Sequence, residues 1–246
     1  MIQSVQRISQ ILNLFRNFTS LSLAQISEKT GLPKTTAYGL VSSLKEEGFL
    51  EQDPDSRRYS LGLTIFELSS YFHARKDLRA ISIPFINGLA QELGFTYQLA
   101  VLDKNQVVYL YKKTTDDFLT FSISAGLRAP FYCTATGKAI AAFLPDEERK
   151  TLLSMQEYVP LTPYSITGRE EMEQVLDLVK QRGYGLDLNE SEQGLGGLAV
   201  PLFEQHSRVV GAISISFLSD QYSEAFLARL LPPLQSCADQ ISRRLS

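Results

Sequence analysis

LPKTTAYGLVSSLKEEGFL, residues 32 to 50, carries helical spacing around a misplaced glycine. Leu32, Leu40, Val41 and Leu44 recur at the helix period, and Pro33 suits a first turn, where its missing N–H costs nothing. Gly39 falls in the middle, where glycine costs about 1 kcal/mol against alanine. On a wheel of about 100° per residue, Ala37, Leu40, Val41 and Leu44 gather on one side. Thr35, Tyr38, Gly39 and Ser42 gather on the other, with Lys34 and Lys45 at its edge. Gly39 is therefore expected on an exposed face of short hydroxyls and one aromatic ring. Such a face fits a DNA major groove, which admits a helix and lets small donors reach base edges or phosphates. The plainer reading is a solvated face of a small bundle.

The flanks weigh against that plainer reading. Residues 4–18 read as an amphipathic helix with Ser4 as N-cap and Val5, Ile8, Leu12 and Phe15 as its apolar stripe. LSLAQISEKTG reads as a second helix, with Ser22 and Gln25 forming a capping box and Gly31 as the stop. The third helix spans about residues 33–47 and ends at Gly48. After it, residues 49–52 and 58–61 are short extended pieces around the turn Asp53-Pro54-Asp55-Ser56. Three helices and a hairpin make a winged helix-turn-helix order. Arg57 and Arg58 at the wing tip are placed to meet phosphate or the minor groove.

The chain has 246 residues and 44% hydrophobic composition, enough for one large or two modest domains. Its net charge of -3 makes the whole chain no general polyanion binder. The charge is uneven: no acid precedes Glu28, and the first fifty residues are mildly basic. That acid-free start resembles a transit peptide, but its apolar stripe suits a packed helix better. Cys133 and Cys237 stand far apart, which fits a reducing compartment. With only His73 and His206 besides them, a structural zinc site is not expected. No apolar run approaches a membrane span, so no membrane partner is expected.

Residues 63–93 read as helical, interrupted before Pro84, and a new texture begins near Phe95. TYQLAVLD and QVVYLYKK are strands around Asp103-Lys104-Asn105, and LTFSIS is a third. TATGKAIAAFL and residues 169–182 are helices; LAVPLF and VVGAISISF are late strands; residues 224–245 close the chain as a helix. Hairpin-joined strands with interspersed helices favour an antiparallel α+β sheet over a doubly wound one.

Two nucleotide-like motifs fail. GLGGLA, residues 194–199, lacks the preceding strand and following helix of a dinucleotide fingerprint. TATGKA lacks the first glycine of a P-loop, where Tyr132 stands, and its Ser/Thr, where Ala139 stands. As a small-residue turn opening a helix, TATGKA either offers backbone N–H groups to an anion or simply packs tightly on a sheet. In GAISISF, Ser214 and Ser216 alternate with Ile213, Ile215 and Phe217, which puts both hydroxyls on one sheet face, towards a ligand or towards solvent.

SVQRISQILNLF, LSLAQISEKTGLPKTTAYGLVSSLKEEGFLEQD and RRYSLG resemble the N-terminal domain of the IclR family of transcription regulators. YCTATGKAIAAFLP, GYGLDLNESEQGLGGLAVPLF and VVGAISIS resemble that family's effector-binding domain. The resemblance spans nearly the whole chain and implies an α+β architecture in three parts. These are a winged helix-turn-helix domain (residues 1–62), a linker helix (63–78) and a GAF-like antiparallel effector domain (79–246). It implies Ser22, Lys34, Thr35, Thr36, Tyr38, Ser42, Arg57 and Arg58 at the DNA. It also implies an effector pocket of Ala135, Thr136 and Gly137 at a helix start, Asp187 and Leu195 on a long loop, Gly197, and Ser214 and Ser216 on a strand. The sequence departs from the family pattern twice. Gly39 stands where the family usually has an arginine expected to contact DNA, and Gly197 stands where it often has cysteine, which implies a roomier pocket.

The expectation is a cytoplasmic homodimer or homotetramer that binds a near-palindromic double-stranded operator and is switched by an organic or sugar acid, with no cofactor. A small-molecule-binding enzyme and a winged-helix protein-interaction module are the competing classes. No nucleophile–base pair, paired catalytic carboxylates or metal-ligand spacing supports the enzyme.

Overall fold

In the computed structural model, which describes residues 2–70, 76–115, 125–204 and 208–245, the chain divides into two units, Met1–Arg75 and Lys76–Ser246. The first unit runs α1 (Gln3–Leu14), α2 (Leu23–Thr30), α3 (Lys34–Glu46), β1 (Leu50–Gln52), β2 (Tyr59–Leu61) and α4 (Leu63–Ser70). Its core joins Ile11 and Phe15 of α1 to Leu21, Ile26, Val41, Leu44, Leu50 and Tyr59. The stripe on α1 differs from the expected one by one step. Ile11 is fully buried and Val5 is exposed, because the face that meets α2 and α3 continues from Ile8 towards the C-terminus. Ser4 does not cap α1; the helix begins at Gln3, with Ile2 in the cap position and no side-chain bond. The capping box of α2 is present: Ser22 Oγ accepts from Gln25 N at 3.3 Å, and Gln25 Oε1 accepts from Ser22 N at 3.0 Å. Gly31 closes α2 at φ +69°, a left-handed turn that glycine adopts freely. β1 and β2 pair antiparallel, and Leu21 bridges Tyr59 to bind the wing's base to the helices.

The second unit opens with α5 (Lys76–Leu93) and builds one six-stranded antiparallel sheet, in the order β5-β4-β3-β8-β7-β6. The strands are β3 (Thr96–Asp103), β4 (Gln106–Lys113), β5 (Arg128–Pro130), β6 (Gly185–Leu188), β7 (Leu195–Glu204) and β8 (Arg208–Leu218). The helices are α6 (Ala135–Ala141), α7 (Asp146–Met155), α8 (Arg169–Arg182) and α9 (Glu224–Leu245). Alternation along the strands makes two unlike faces. Leu99, Val101, Ile213, Ile215 and Phe217 meet α5 and α9 in a large apolar core. On the opposite face, Ala199 and Ala212 pack against Ala135, Ala139 and Ile140 of α6.

Several elements depart from the sequence expectation. Pro84 lies inside α5 without ending it, since Ile86, Leu89 and Ala90 beyond it are buried in the core and hold the helix through the lost hydrogen bond. α7, β5 and β6 were not anticipated. Asp187 lies on β6 and Leu195 opens β7, so neither sits in a loop. Pro201 is tolerated within β7 because β6 pairs it only over Gly196–Ala199, leaving no outer neighbour at Pro201. The expected strand LTFSIS, both histidines and part of the expected linker lie outside the described residues.

The helical glycines Gly39 and Gly137 sit in opposite environments. A Cβ at position 39 would meet nothing within 4 Å, whereas one at position 137 would stand 2.2 Å from the Phe131 carbonyl oxygen. Gly39→Ala should therefore raise the stability of the first unit by about 0.5–1 kcal/mol. Gly137→Ala should cost the second unit roughly 1–3 kcal/mol or more. Denaturant unfolding of the two variants measures both.

Candidate functional site

The exposed face of α3 carries the predicted residues. Lys34, Thr35, Tyr38 and Gly39 are exposed, Thr36 and Ser42 are half-buried, and Ala37, Val41 and Leu44 point into the core. Beside this face lies a cleft of about 730 Å³ whose lining includes Ser22, Tyr38, Ser42, Lys45, Gln52 and Arg57. The N-terminus of α2, the face of α3 and the wing thus meet around one concavity. Charge distinguishes this unit further. Among the described residues, Arg7, Arg16, Lys29, Lys34, Lys45, Arg57 and Arg58 have no carboxylate partner, and the ion pairs all lie in the second unit.

The wing separates its two arginines. Asp53 Oδ1 accepts from both Ser56 N and Ser56 Oγ at 2.6 Å, which closes the turn and holds the Asp53 carboxyl below its ordinary range. Arg57 takes φ +57° and projects exposed from the tip. Gln52 ties the tip to α3: its Nε2 donates to Arg57 O at 3.1 Å, and its Oε1 accepts from Lys45 Nζ at 3.4 Å. A neutral amide holds two cations beside one cleft without cancelling either charge. Arg58 has another task. Its Nε donates to Ser20 Oγ at 2.9 Å and its Nη2 to Ser20 O at 2.7 Å, which binds the wing to the loop between α1 and α2. Sequence alone gave the two arginines one role. Arg57→Ala should lower the salt slope of duplex binding by about 0.9 without loss of stability, while Arg58→Ala should cost roughly 1 kcal/mol of stability. Anisotropy titrations across ionic strength and thermal unfolding separate them.

In the second unit, most of the residues expected at the effector fall on the α6 face of the sheet. Asp187, Gly197 and Ser216 form one row across β6, β7 and β8, with Ser214 two positions from Ser216 on β8. A Cβ at Gly197 would lie 3.2 Å from Ala135 Cβ and 3.7 Å from Asp187 Cβ, so the helix start and the row converge. That contact also closes the space that the missing side chain at Gly197 was expected to leave open. Gly137 serves packing against the Phe131 backbone, and its amide donates to Thr134 Oγ1 at 3.0 Å. Thr136 is buried, and Leu195 is half-buried where β7 begins. Ser214 and Ser216 do not line a solvent edge: Ser214 Oγ donates to Gln98 Oε1, and Gln98 Nε2 donates to Ser216 Oγ, both at 2.8 Å.

Asp187 is 4% exposed and caps the turn after β6, where its Oδ1 accepts from Glu190 N at 2.8 Å and its Oδ2 from Ser191 Oγ at 2.6 Å. This turn carries Glu190 to Lys138, a lysine buried to 1% exposure on α6. Thr162 and Ser165 add hydroxyl bonds to the carbonyls of Asn189 and Glu190. Sequence reasoning missed Gln98, Lys138 and Glu190. Only the repeated polar positions within apolar strands signalled the first, and nothing local signalled the ion pair. Burial holds the Asp187 and Glu190 carboxyls above their ordinary range, and Lys138 opposes that shift. The native state thus binds these protons more tightly than the unfolded chain. The contribution of these two groups to stability should be full below the unfolded carboxylate pKa and be lost as pH rises through the raised folded values. Glu190→Gln should flatten part of that fall, measured by unfolding at roughly pH 5 and pH 8.

Among the described residues no helix is long and apolar enough to cross a membrane, and no group of three or more His, Cys, Asp or Glu could hold a metal ion. Comparison with known proteins agrees with the two-unit architecture. The sequence model of the IclR helix-turn-helix domain matches residues 4–54, and that of the bacterial transcriptional regulator IclR C-terminal domain matches residues 71–243. The HTH-type transcriptional regulator XynR of Escherichia coli (strain K12) is 34% identical over 246 residues, covering 99% of this chain and 97% of that protein. The HTH-type transcriptional regulator KipR of Bacillus subtilis (strain 168) is 32% identical over 243 residues, with 99% and 97% covered. The crystal structure of the Thermotoga maritima IclR superposes with TM-score 0.80 at 28% identity, covering 100% of this chain and 99% of that one.

Proposed function

Because the chain belongs to the IclR family of transcriptional regulators, which bind DNA and are switched by a small-molecule effector, we infer the DNA face, the effector class and the assembly that this chain uses. The DNA face is the exposed side of α3 with the cleft and wing beside it. Thr35, Thr36, Tyr38 and Ser42 enter the major groove, and Ser22, Lys34, Lys45 and Arg57 meet phosphates. The observation that carries this reading is the concentration of cations without carboxylate partners in the first unit of a chain whose net charge is -3. Arg58 acts indirectly, by fixing the wing.

The effector is an organic or sugar acid held on the α6 face of the sheet, with Ala135, Thr136, Gly137, Asp187, Leu195, Gly197, Ser214 and Ser216 around it. Its binding shifts a population of states through the segment that joins the two units. The chain acts in the cytoplasm as a homodimer or homotetramer on a near-palindromic operator, without enzymatic activity or a cofactor. Exposed Ile2 and Val5 at the start of the chain, and Leu63, Phe66 and Leu68 on α4, support the assembly, since large apolar groups of this kind are suited to cover by a second copy.

Operator selection followed by anisotropy titration with carboxylic acids tests the reading. Asp187→Ala, and Ser214→Ala with Ser216→Ala, should abolish the acid response and leave acid-free DNA affinity nearly unchanged. A full response in both variants would show the effector elsewhere.

Gly39→Arg should stabilise the first unit by up to roughly 1 kcal/mol, since arginine is the better helix former and the position is open. If the guanidinium reaches a phosphate, the salt slope should steepen by about 0.9. If it reaches a guanine, preference at one base pair per half-site should sharpen by about 1–3 kcal/mol. Lower affinity with higher stability would show that the α3 backbone lies close against the DNA.

A further inference from the structure

Two adjacent strands place four neutral polar side chains on the α6 face of the sheet. Thr96 pairs with Ser216, and Gln98 with Ser214, in the register of β3 and β8. Thr96 is 2% exposed, Gln98 1% and Ser214 4%. Burying an amide and hydroxyls on a sheet is costly unless their bonds are made, so the partners are informative.

The protons can be followed one at a time. Ser214 spends its hydroxyl proton on Gln98 Oε1, and Gln98 Nε2 donates to Ser216 Oγ. Ser216 therefore accepts and keeps its own proton. Turning the amide over would spend the Ser216 proton on Gln98 and free that of Ser214; in the orientation described, the unspent proton is the one beside Thr96. Beside Ser216 in the register, the Thr96 hydroxyl is buried and has no hydrogen-bond partner among the described residues. Two O–H donors thus stand side by side on adjacent strands with no acceptor between them. Side chains directly opposite in an antiparallel pair are about 4.5–5.5 Å apart at Cβ, a span that a carboxylate bridges by accepting through both oxygens. Lys138, the buried cation of the helix over this face, is already paired with Glu190. On the other side of Gln98, Lys112 of β4 stands opposite it in the register. The unspent hydroxyls of Thr96 and Ser216 are the neutral donors that stand beside each other.

We propose that Thr96 and Ser216 together hold the carboxylate of the effector, and that Gln98 is the positioning residue that keeps the Ser216 proton available for it. This rests on the acid-effector reading above and adds Thr96 and Gln98 to it. Charge-assisted O–H bonds are about twice as strong as neutral ones, so the paired donors select an acid over the corresponding alcohol. Gln98 can do its part only as an amide. A carboxylate there could not donate to Ser216; it would take the Ser216 proton for itself and repel an acid.

The test uses thermal shift of the full chain with glycerate, D-gluconate and benzoate, each paired with its neutral counterpart glycerol, D-glucitol or benzyl alcohol, at millimolar concentration. At least one acid should stabilise the wild type where its alcohol does not. Thr96→Val should weaken that acid by about tenfold or more without lowering the acid-free melting temperature, since it removes a buried hydroxyl that has no partner. Gln98→Glu should erase the preference for the acid over its alcohol. Unchanged acid affinity in Thr96→Val would overturn the proposal, and if the same acid still releases duplex DNA from that variant, the acid-effector reading survives without it. Gln98→Glu that keeps the acid preference would overturn the positioning role. Stabilisation by an alcohol equal to that by its acid, or no stabilisation by any of the three acids, would overturn both the proposal and the acid class.

Discussion

Close approach of α6 to the sheet sets the geometry of the effector unit. Gly137 lets the helix start lie against the Phe131 backbone, and a Cβ at Gly185 would stand 2.2 Å from the Ala135 carbonyl oxygen. No side chain, not even the methyl of alanine, has room at these points. The consequence is a sheet with one heavily packed apolar face, under α5 and α9, and one face of small and polar residues, under α6. Every group assigned to the effector lies on or beside the second face. The constraint also gives the P-loop-like small residues of TATGKA a packing role: Gly137 serves the close approach of two backbones.

The DNA-binding unit depends on a different economy. It leaves its cations without carboxylate partners and orders them with neutral groups. Gln52 holds Lys45 and the wing tip, Ser20 holds Arg58, and Asp53 spends its carboxylate on Ser56 of its own turn. In the second unit, by contrast, Arg128, Lys138, Arg149, Lys150 and Arg169 pair with acids, down to the buried Lys138–Glu190 pair. A fixed array of cations loses little further freedom when phosphates arrive, which favours binding by preorganisation.

What the sequence shows depends on how local the cause is. The capping box of α2 and the helix Arg169–Arg182, set between Gly168 and Gly183, follow from residues within a turn of each boundary. The exposed setting of Gly39 follows from helix periodicity alone. α7 escaped notice because its two buried residues, Leu152 and Leu153, are adjacent and give no period. β5 and β6, of three and four residues, are too short to show alternation. On the α6 face of the sheet, strand alternation put Ser214 and Ser216 together, but it did not show their partner or the ion pair beside Asp187. Gln98 meets Ser214 across 116 residues of chain, and Lys138 meets Glu190 across 52. A lysine in a helix ordinarily reads as solvent-exposed, and only the topology buries this one. The differing roles of Arg57 and Arg58 were hidden for the same reason, since Ser20 lies 38 residues from Arg58.

We propose that cations left unpaired on one face of the first unit are what holds duplex DNA. The salt dependence of that binding tests it most directly. Lys34, Lys45 and Arg57 each displacing one phosphate counterion give a log–log slope of about -2.7 per protomer, and roughly twice that for a dimer on its operator. The account predicts a slope of that size in the wild type and its near-complete loss when the three residues are changed to alanine together. A flat salt dependence in the wild type, or a slope that survives the triple substitution, would contradict it.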